Sequence, residues 1–425
     1  MPSTVRGTPN EGLLGSTLGF FVGFAAVSLF GPTAQRFQDA MGLSPVMVGF
    51  LVAAPALSGS LLRIPFGAWV DTSGGRRPFL ILLVLSLLGM LGLLGVSWLL
   101  YPERLTAGYY PLVLFLGVLS GCGIATFSVG IGQVSYWFPL SRQGRALGAY
   151  AGLGNIAPGA FAFLLPISLV HWELAGSYLA WIVLLSVGIV VYYLTGLNAP
   201  YFQLLAAGVP AAEARNVARE KGQELFPAGG AAESLLIAAR VWKTWALVLI
   251  YFTTFGGFIA LTAWFPTYWV SFHGLGLGAA GLLTAVYSVG ASLIRVAGGS
   301  VADRVGGEAT ASGSLLIVLA GALLLTVSHA VAPAAAGAVL MAIGMGVANA
   351  AVFRLVPQEV KEAVGGAAGW VGGLGAFGGF AIPPVLGAFV RAQGSTGYAT
   401  GFSTFVVLAA GSLVLALVLR RHRKA

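Results

Sequence analysis

In SGSLLRIPFGAWVDTSGGRR, residues 58–77, an arginine stands inside an apolar run that is otherwise suited to lipid. Arg63 precedes Asp71 by eight residues, about 12 Å along a helix, too deep for easy snorkelling to an interface. The arrangement returns in GASLIRVAGGSVADRVGG, residues 290–307, where Arg295 precedes Asp303 by eight. No acidic residue within either run stands out as the arginine's partner. A charge at the centre of a bilayer costs about 2.5–3.5 kcal/mol on insertion scales, so such an arginine is a candidate functional residue. Two unpaired positive charges in lipid ask for a negative partner from outside the chain, an anion.

The rest of the composition agrees with a membrane setting. The chain of 425 residues is 58% hydrophobic and only 8% charged, with 62 glycines. Soluble domains carry about 25% charged residues, which excludes that class. With roughly 20 apolar residues needed per spanning helix, polar breaks separate twelve runs. They fall near 13–34, 45–70, 77–100, 109–138, 145–170, 175–197, 243–270, 277–301, 311–329, 331–353, 364–390 and 398–419. The expected fold is an all-α integral membrane protein of twelve transmembrane helices in two pseudo-symmetric six-helix bundles. Residues 1–197 form the first bundle, 198–242 a cytoplasmic linker with some amphipathic character, and 243–425 the second bundle with a basic tail.

Of the 22 Lys and Arg, all but five lie on the side of the termini; Arg36, Arg104 and Arg391 lie opposite, and Arg63 and Arg295 lie within spans. The positive-inside rule puts both termini in the cytoplasm, so the net charge of +9 reports topology and no nucleic-acid partner. Most tryptophans, including Trp98, Trp137, Trp172, Trp181, Trp264 and Trp269, fall near span ends and are expected to anchor at the interface. Cys122 is alone, which excludes an internal disulfide or a cysteine metal cluster. With no nucleotide loop, nucleophile–base pair or metal constellation in the spans, neither an ATP-driven pump nor an enzyme is indicated, and no cofactor is called for.

The halves repeat in register. A shift of 232 places Gly49 on Gly281, Ser60 on Ser292, Arg63 on Arg295 and Asp71 on Asp303. A shift of 217 later places Gly148 on Gly365, Gly152 on Gly369 and Asn155 on Gly372. Internal symmetry of this kind marks secondary transporters, whose site lies near the midplane between repeats. The arginines are therefore symmetry mates facing one central site. All thirteen acidic residues fall in loops, termini or helix ends, and the histidines do likewise. A proton-coupled carrier usually keeps a titratable group within the membrane. Exchange of one anion for another needs none, so antiport is favoured.

Glycines concentrate in GRALGAYAGLGNIAPGAF, from residue 144, and VGGAAGWVGGLGAFGGF, from residue 364. Gly148 and Gly152, and likewise Gly365, Gly369 and Gly373, recur every four residues along one helix face. Small faces allow close packing and also leave room for sliding. With Gly154 and the loop residues Asp71, Arg76, Asp303 and Arg304 they form the candidate conformational set.

Twelve spans, a central loop and the pattern Gly67-x3-Asp71…Gly74-Gly75-Arg76-Arg77, echoed by Gly299-x3-Asp303-Arg304, resemble the major facilitator superfamily. AGLGNIAPG (151–159) and GWVGGLGAFGGF (369–380) resemble, more narrowly, the paired glycine signatures of the nitrate/nitrite porter family. The resemblance implies that Arg63 and Arg295 bind the anion, with YFTTFGGFI (251–259) supplying Tyr251 as a hydroxyl donor and Phe255 as an aromatic wall. Phe24 and Phe127 match further aromatic positions. Gln133 stands where family members more often show an asparagine, and only Asn349 remains plain of two small polar positions in the tenth helix. The reading is a monomeric inner-membrane carrier that exchanges nitrate and nitrite, with Asn155 and either Asn349 or Gln133 completing the anion's hydrogen bonds. A proton-coupled nitrate symporter and an exchanger of small carboxylates such as formate or oxalate are the alternatives. A channel would need a continuous polar lining, which these apolar spans do not offer.

Overall fold

The computed structural model describes residues 5–227, 230–360 and 363–424, and the loop charges Lys361 and Glu362 lie outside them. Among the described residues all regular structure is helical, without a strand. Eleven helical stretches are long and apolar enough to cross a membrane, and one of them, Ser141–Thr195, is 55 residues long. Glu173 divides that stretch with φ 53° and ψ −162°, a left-handed break inside the expected gap between 170 and 175. The spans are thus α1 Pro9–Ser28, α2 Pro45–Ser73, α3 Arg76–Leu99, α4 Ala107–Trp137, α5 141–172 and α6 174–195. In the second half they are α7 Trp242–Ser271, α8 Leu277–Val305, α9 Gly307–Val327, α10 Val331–Glu359, α11 Val364–Thr400 and α12 Ser403–His422.

Local chemistry sets several starts. Thr8 and Glu11 form a reciprocal capping box ahead of Pro9, and the Ser44 hydroxyl accepts from the Met47 N–H ahead of Pro45. Each cap contributes about 1 kcal/mol. The expected interfacial anchors divide. Trp98 and Trp172 are exposed, but Trp137, Trp181, Trp264 and Trp269 are buried in the protein, because helix–helix packing claims their large rings first. Arg354, expected in a loop, lies within α10 and pairs with Asp303 at 3.2 Å.

The N-terminus and the linker share one face: the Gln203 side chain bonds the Arg6 backbone in both directions, at 2.8 and 2.9 Å. The end of the linker and the C-terminal tail meet where Trp242 packs edge-on against His422. We refer to this as the linker face. Among its described residues the amphipathic linker contains three helices. Helices Pro200–Ala206 and Ala211–Glu220 pack on the first half around Trp137, Tyr201 and Phe202. Helix Ala231–Arg240 docks on α11, where Gly366 N–H donates to Ser234 Oγ at 2.9 Å and Trp370 Nε1 to Leu235 O at 2.9 Å.

On the opposite face the halves close against each other through glycines. A Cβ at Gly49 of α2 would lie 2.6 Å from Pro383 O of α11, and one at Gly281 of α8 would lie 2.6 Å from Ala162 O of α5. No larger residue permits that approach. The two contacts are symmetry mates and seal the far face.

Candidate functional site

The regular helix fails in six spans, in each case beside a candidate residue. α1 tightens to a 3₁₀ turn at 25–28 after Phe24, α2 breaks at Leu62 before Arg63, and α4 tightens at 121–125 before Phe127. α5 breaks at 155–156, α11 at 375–377, and α7 widens into a π segment, Phe252–Gly256, beside Tyr251. Non-helical backbone at membrane depth is tolerated only where it is buried in protein or lines a cavity, and π segments concentrate at functional sites.

These breaks assemble an aromatic box around Phe255. Tyr251 stacks on its ring at 4.9 Å and 11°, Phe24 at 6.4 Å and 2°, and Phe127 tilts against it at 6.1 Å. Arg63 Cζ lies 4.9 Å from the Phe127 ring centre and 5.1 Å from that of Phe255. Arg295 Cζ, from the other half, lies 6.0 and 5.6 Å from the same two rings. Two guanidiniums thus flank one pair of aromatic faces, with cation–π attraction offsetting part of their desolvation.

Buried polar atoms without a partner occur at several points among the described residues, and five of them gather around the box. Arg63 Nε donates to Gly59 O at 3.0 Å and Nη1 to Gly372 O of α11 at 3.2 Å. Arg63 Nη2, Arg295 Nη1, Tyr251 Oη, Asn155 Oδ1 and Asn349 Oδ1 are all buried without a partner. Each such atom costs about 1–3 kcal/mol. Concentrated on residues of both halves, they describe a ligand's contacts. The two asparagine amides are orientable, so either end can be turned inward. Asn155, Phe255, Phe258, Ser292, Arg295 and Asn349 line a pocket of about 10 Å³, room for roughly one water. Arg63 and Phe127 face a larger cleft of about 450 Å³ between α2, α4 and α11. Leu225, Phe226, Ser234 and Leu235 of the linker line that cleft too, so it opens on the linker face.

Arg63, Arg295, Tyr251, Asn155, Phe24, Phe127, Phe255 and Asn349 therefore converge, and Gln133 does not. Its Nε2 donates to Leu197 O at 3.0 Å and its Oε1 accepts from Tyr192 Oη at 2.6 Å. That amide is spent holding α4 to α6 and to the turn that follows α6. Phe353 was missed. Its ring meets Tyr251 edge-on at 5.1 Å, lies 5.9 Å from Arg295 Cζ and lines the cleft. It follows Asn349 by four residues, one turn along the same face, which was the available signal.

The conformational set divides as well. Gly148 faces open space, Gly152 has only Val296 Cγ2 at 3.5 Å, and Gly365 and Gly369 border the cleft. A Cβ at Gly154 would run into Phe20, and one at Gly373 into Ile64 at 2.6 Å, so these two serve close packing. Tyr136 donates to Asp71 at 2.7 Å as Arg354 holds Asp303, both within their own halves. Arg76 Nη2 donates to Tyr193 O at 2.7 Å, while Arg304 is exposed.

Comparison with known proteins adds four findings. The chain matches the sequence model of the Major Facilitator Superfamily over residues 16–281. It is 32% identical over 403 residues to the probable nitrate/nitrite antiporter NarK1 of Thermus thermophilus, covering 90% of this chain and 85% of that one. It is 30% identical over 373 residues to the probable nitrate/nitrite transporter NarK2 of Mycobacterium tuberculosis, covering 86% of each. In fold it is similar to the partially occluded, inward-open xylose transporter XylE from E. coli, with a TM-score of 0.70 at 16% identity over 97% of this chain and 99% of that one.

Proposed function

The chain belongs to the Major Facilitator Superfamily, and we propose that it is a nitrate/nitrite transporter that exchanges one anion for the other by alternating access. The observation that carries the reading is the set of unpartnered buried polar atoms on both halves around the Phe127–Phe255 box. Arg63 Nη2, Arg295 Nη1 and Tyr251 Oη are donors, and Asn155 and Asn349 become donors by turning their amides. An anion only accepts, so one small ion with several oxygens uses these donors together. Arginine suits it because the flat fork donates two parallel hydrogen bonds.

The remaining assignments follow from the same reading. The linker face is cytoplasmic, because the basic residues concentrate there, so the conformation with its cleft on that face is inward-open, in a cell inner membrane. Bound anion offsets the repulsion between the two arginines, so the halves close most easily when loaded, and the glycine faces of α5 and α11 make room for that motion. Residues 1–197 and 243–425 rock as two bundles about the site, joined by 198–242, in a protein that functions as a monomer. Exchange is supported by the placement of the carboxylates, all at span ends or beyond, which leaves no internal proton carrier. Arg63→Lys and Arg295→Lys keep the charge but lose the fork, so each should abolish most nitrate transport in liposomes. Transport at the unmodified rate in either variant would overturn the site.

A further inference from the structure

The two arginines are related by the repeat, yet they are not treated alike. The shift of 232 pairs Arg63 with Arg295 and Ser60 with Ser292, and the shift of 217 pairs Asn155 with Gly372. The contact of Arg63 Nη1 with Gly372 O, 3.2 Å across the interface, thus has an expected mate between Arg295 and Asn155 O. That carbonyl is occupied instead by Ser292, whose hydroxyl lies 2.9 Å from Asn155 O and 2.8 Å from Ser288 O of its own helix. Its single proton is shared between the two. Ser60, its counterpart, bonds only within α2, to Leu57 O at 3.0 Å, and Gly372 O is left for Arg63. Correspondingly, Arg295 Nη1 is buried without a partner.

We propose that Ser292 is a positioning residue: by filling the Asn155 carbonyl it keeps the Arg295 guanidinium free for the anion, while Arg63 is tethered to the opposite half through Gly372. The inference rests on the reading of the two arginines as the anion site. Its physical basis is competition. A guanidinium N–H spent on a backbone carbonyl is not offered to an oxyanion, and hydrogen bonds of charged groups are the strong ones. Arg63 carries that handicap, and Ser292 spares Arg295 from it. The roles then differ. Arg295 offers its donors without breaking a bond, whereas Arg63, which faces the cleft, also holds α2 to α11 through Gly372. Ser292 also lines the small pocket with Arg295 and Asn155, so the serine sits where the capture would otherwise occur.

The test is nitrate binding by calorimetry on the purified full chain, with KM and kcat from nitrite-loaded proteoliposomes. Ser292→Ala should let Arg295 fall onto Asn155 O, raising Kd and KM on the order of tenfold with kcat nearly unchanged. Ser292→Thr, which keeps the hydroxyl, should restore the parent KM, and Ser60→Ala should leave it unchanged. If Ser292→Ala cannot be purified, Ser292→Cys, a weak donor of similar size, should show the same rise. An unchanged KM in Ser292→Ala, an equal rise in Ser60→Ala, or a loss confined to kcat would overturn the proposal. The underlying reading fails separately: Arg295→Lys binding nitrate as the parent does would remove the anion site itself. Arg295→Lys losing binding while Ser292→Ala does not would remove only the role given to Ser292.

Discussion

Gly281→Leu should unseal the far face of the protein. At this position a Cβ would lie 2.6 Å from Ala162 O and 2.9 Å from Pro166 Cγ. Ordinary contact begins at 3.4 Å, so even one methyl asks α5 to withdraw by roughly 0.8 Å, and the obstacle is a backbone carbonyl that cannot rotate aside. Overpacking costs on the order of 1–3 kcal/mol. The cost falls on the conformation in which α5 and α8 touch and vanishes in one where they part. A difference of that size shifts the balance between the two by about 5–150-fold. The assay is the distance between spin labels at Val170 of α5 and Gly278 of α8, in a Cys122→Ser background. The parent should show one short distance, and Gly281→Leu a second, longer population with slower transport. Gly49→Leu should behave alike by symmetry, since its Cβ would lie 2.6 Å from Pro383 O, whereas Gly290→Ala, with nothing within 4 Å, should not. An unaltered distance and rate in Gly281→Leu would refute the view that this seam opens during the cycle.

Two further outcomes are expected. Tyr251→Phe removes a buried hydroxyl beside Arg295, so the nitrate Kd should rise by about tenfold or more, read from a calorimetric titration. His273, in the connection between α7 and α8, has its pKa held below the usual 6.5 by burial and by His329. The unfolded chain therefore takes up that proton at higher pH than the folded one. Stability from this group is present above about pH 6.5 and is lost as pH falls toward the folded value, so His273→Gln should melt with less pH dependence between about pH 7.5 and 5.5.

The fold was legible because lipid imposes a strict length and polarity on every span, and because the repeat tied the halves by residue. Even the α5–α6 junction, at Glu173 within the helical stretch Ala157–Thr195, fell where the apolar run was interrupted. Convergence of the arginines was legible for the same reason, since symmetry mates share one axis. The direction of single side chains was less so. Gln133 follows Phe127 by six residues, about 600° around α4, which turns it some 120° away from the ring and toward α6. Trp264 and Trp269 carry the composition of anchors but are buried, because sequence position does not distinguish an interface from a packed helix end. Gly49 and Gly281 appeared only as register marks. Their closure of the far face depends on which helix lies opposite, and no local pattern encodes that.

The central claim is exchange at a site bridged by Arg63 and Arg295, and counterflow tests it most directly. Purified protein in liposomes loaded with nitrite, at equal pH inside and out, should take up external nitrate, and empty liposomes should not, whether or not a pH gradient is imposed. Nitrate uptake that requires the pH gradient and proceeds without internal nitrite would contradict the account.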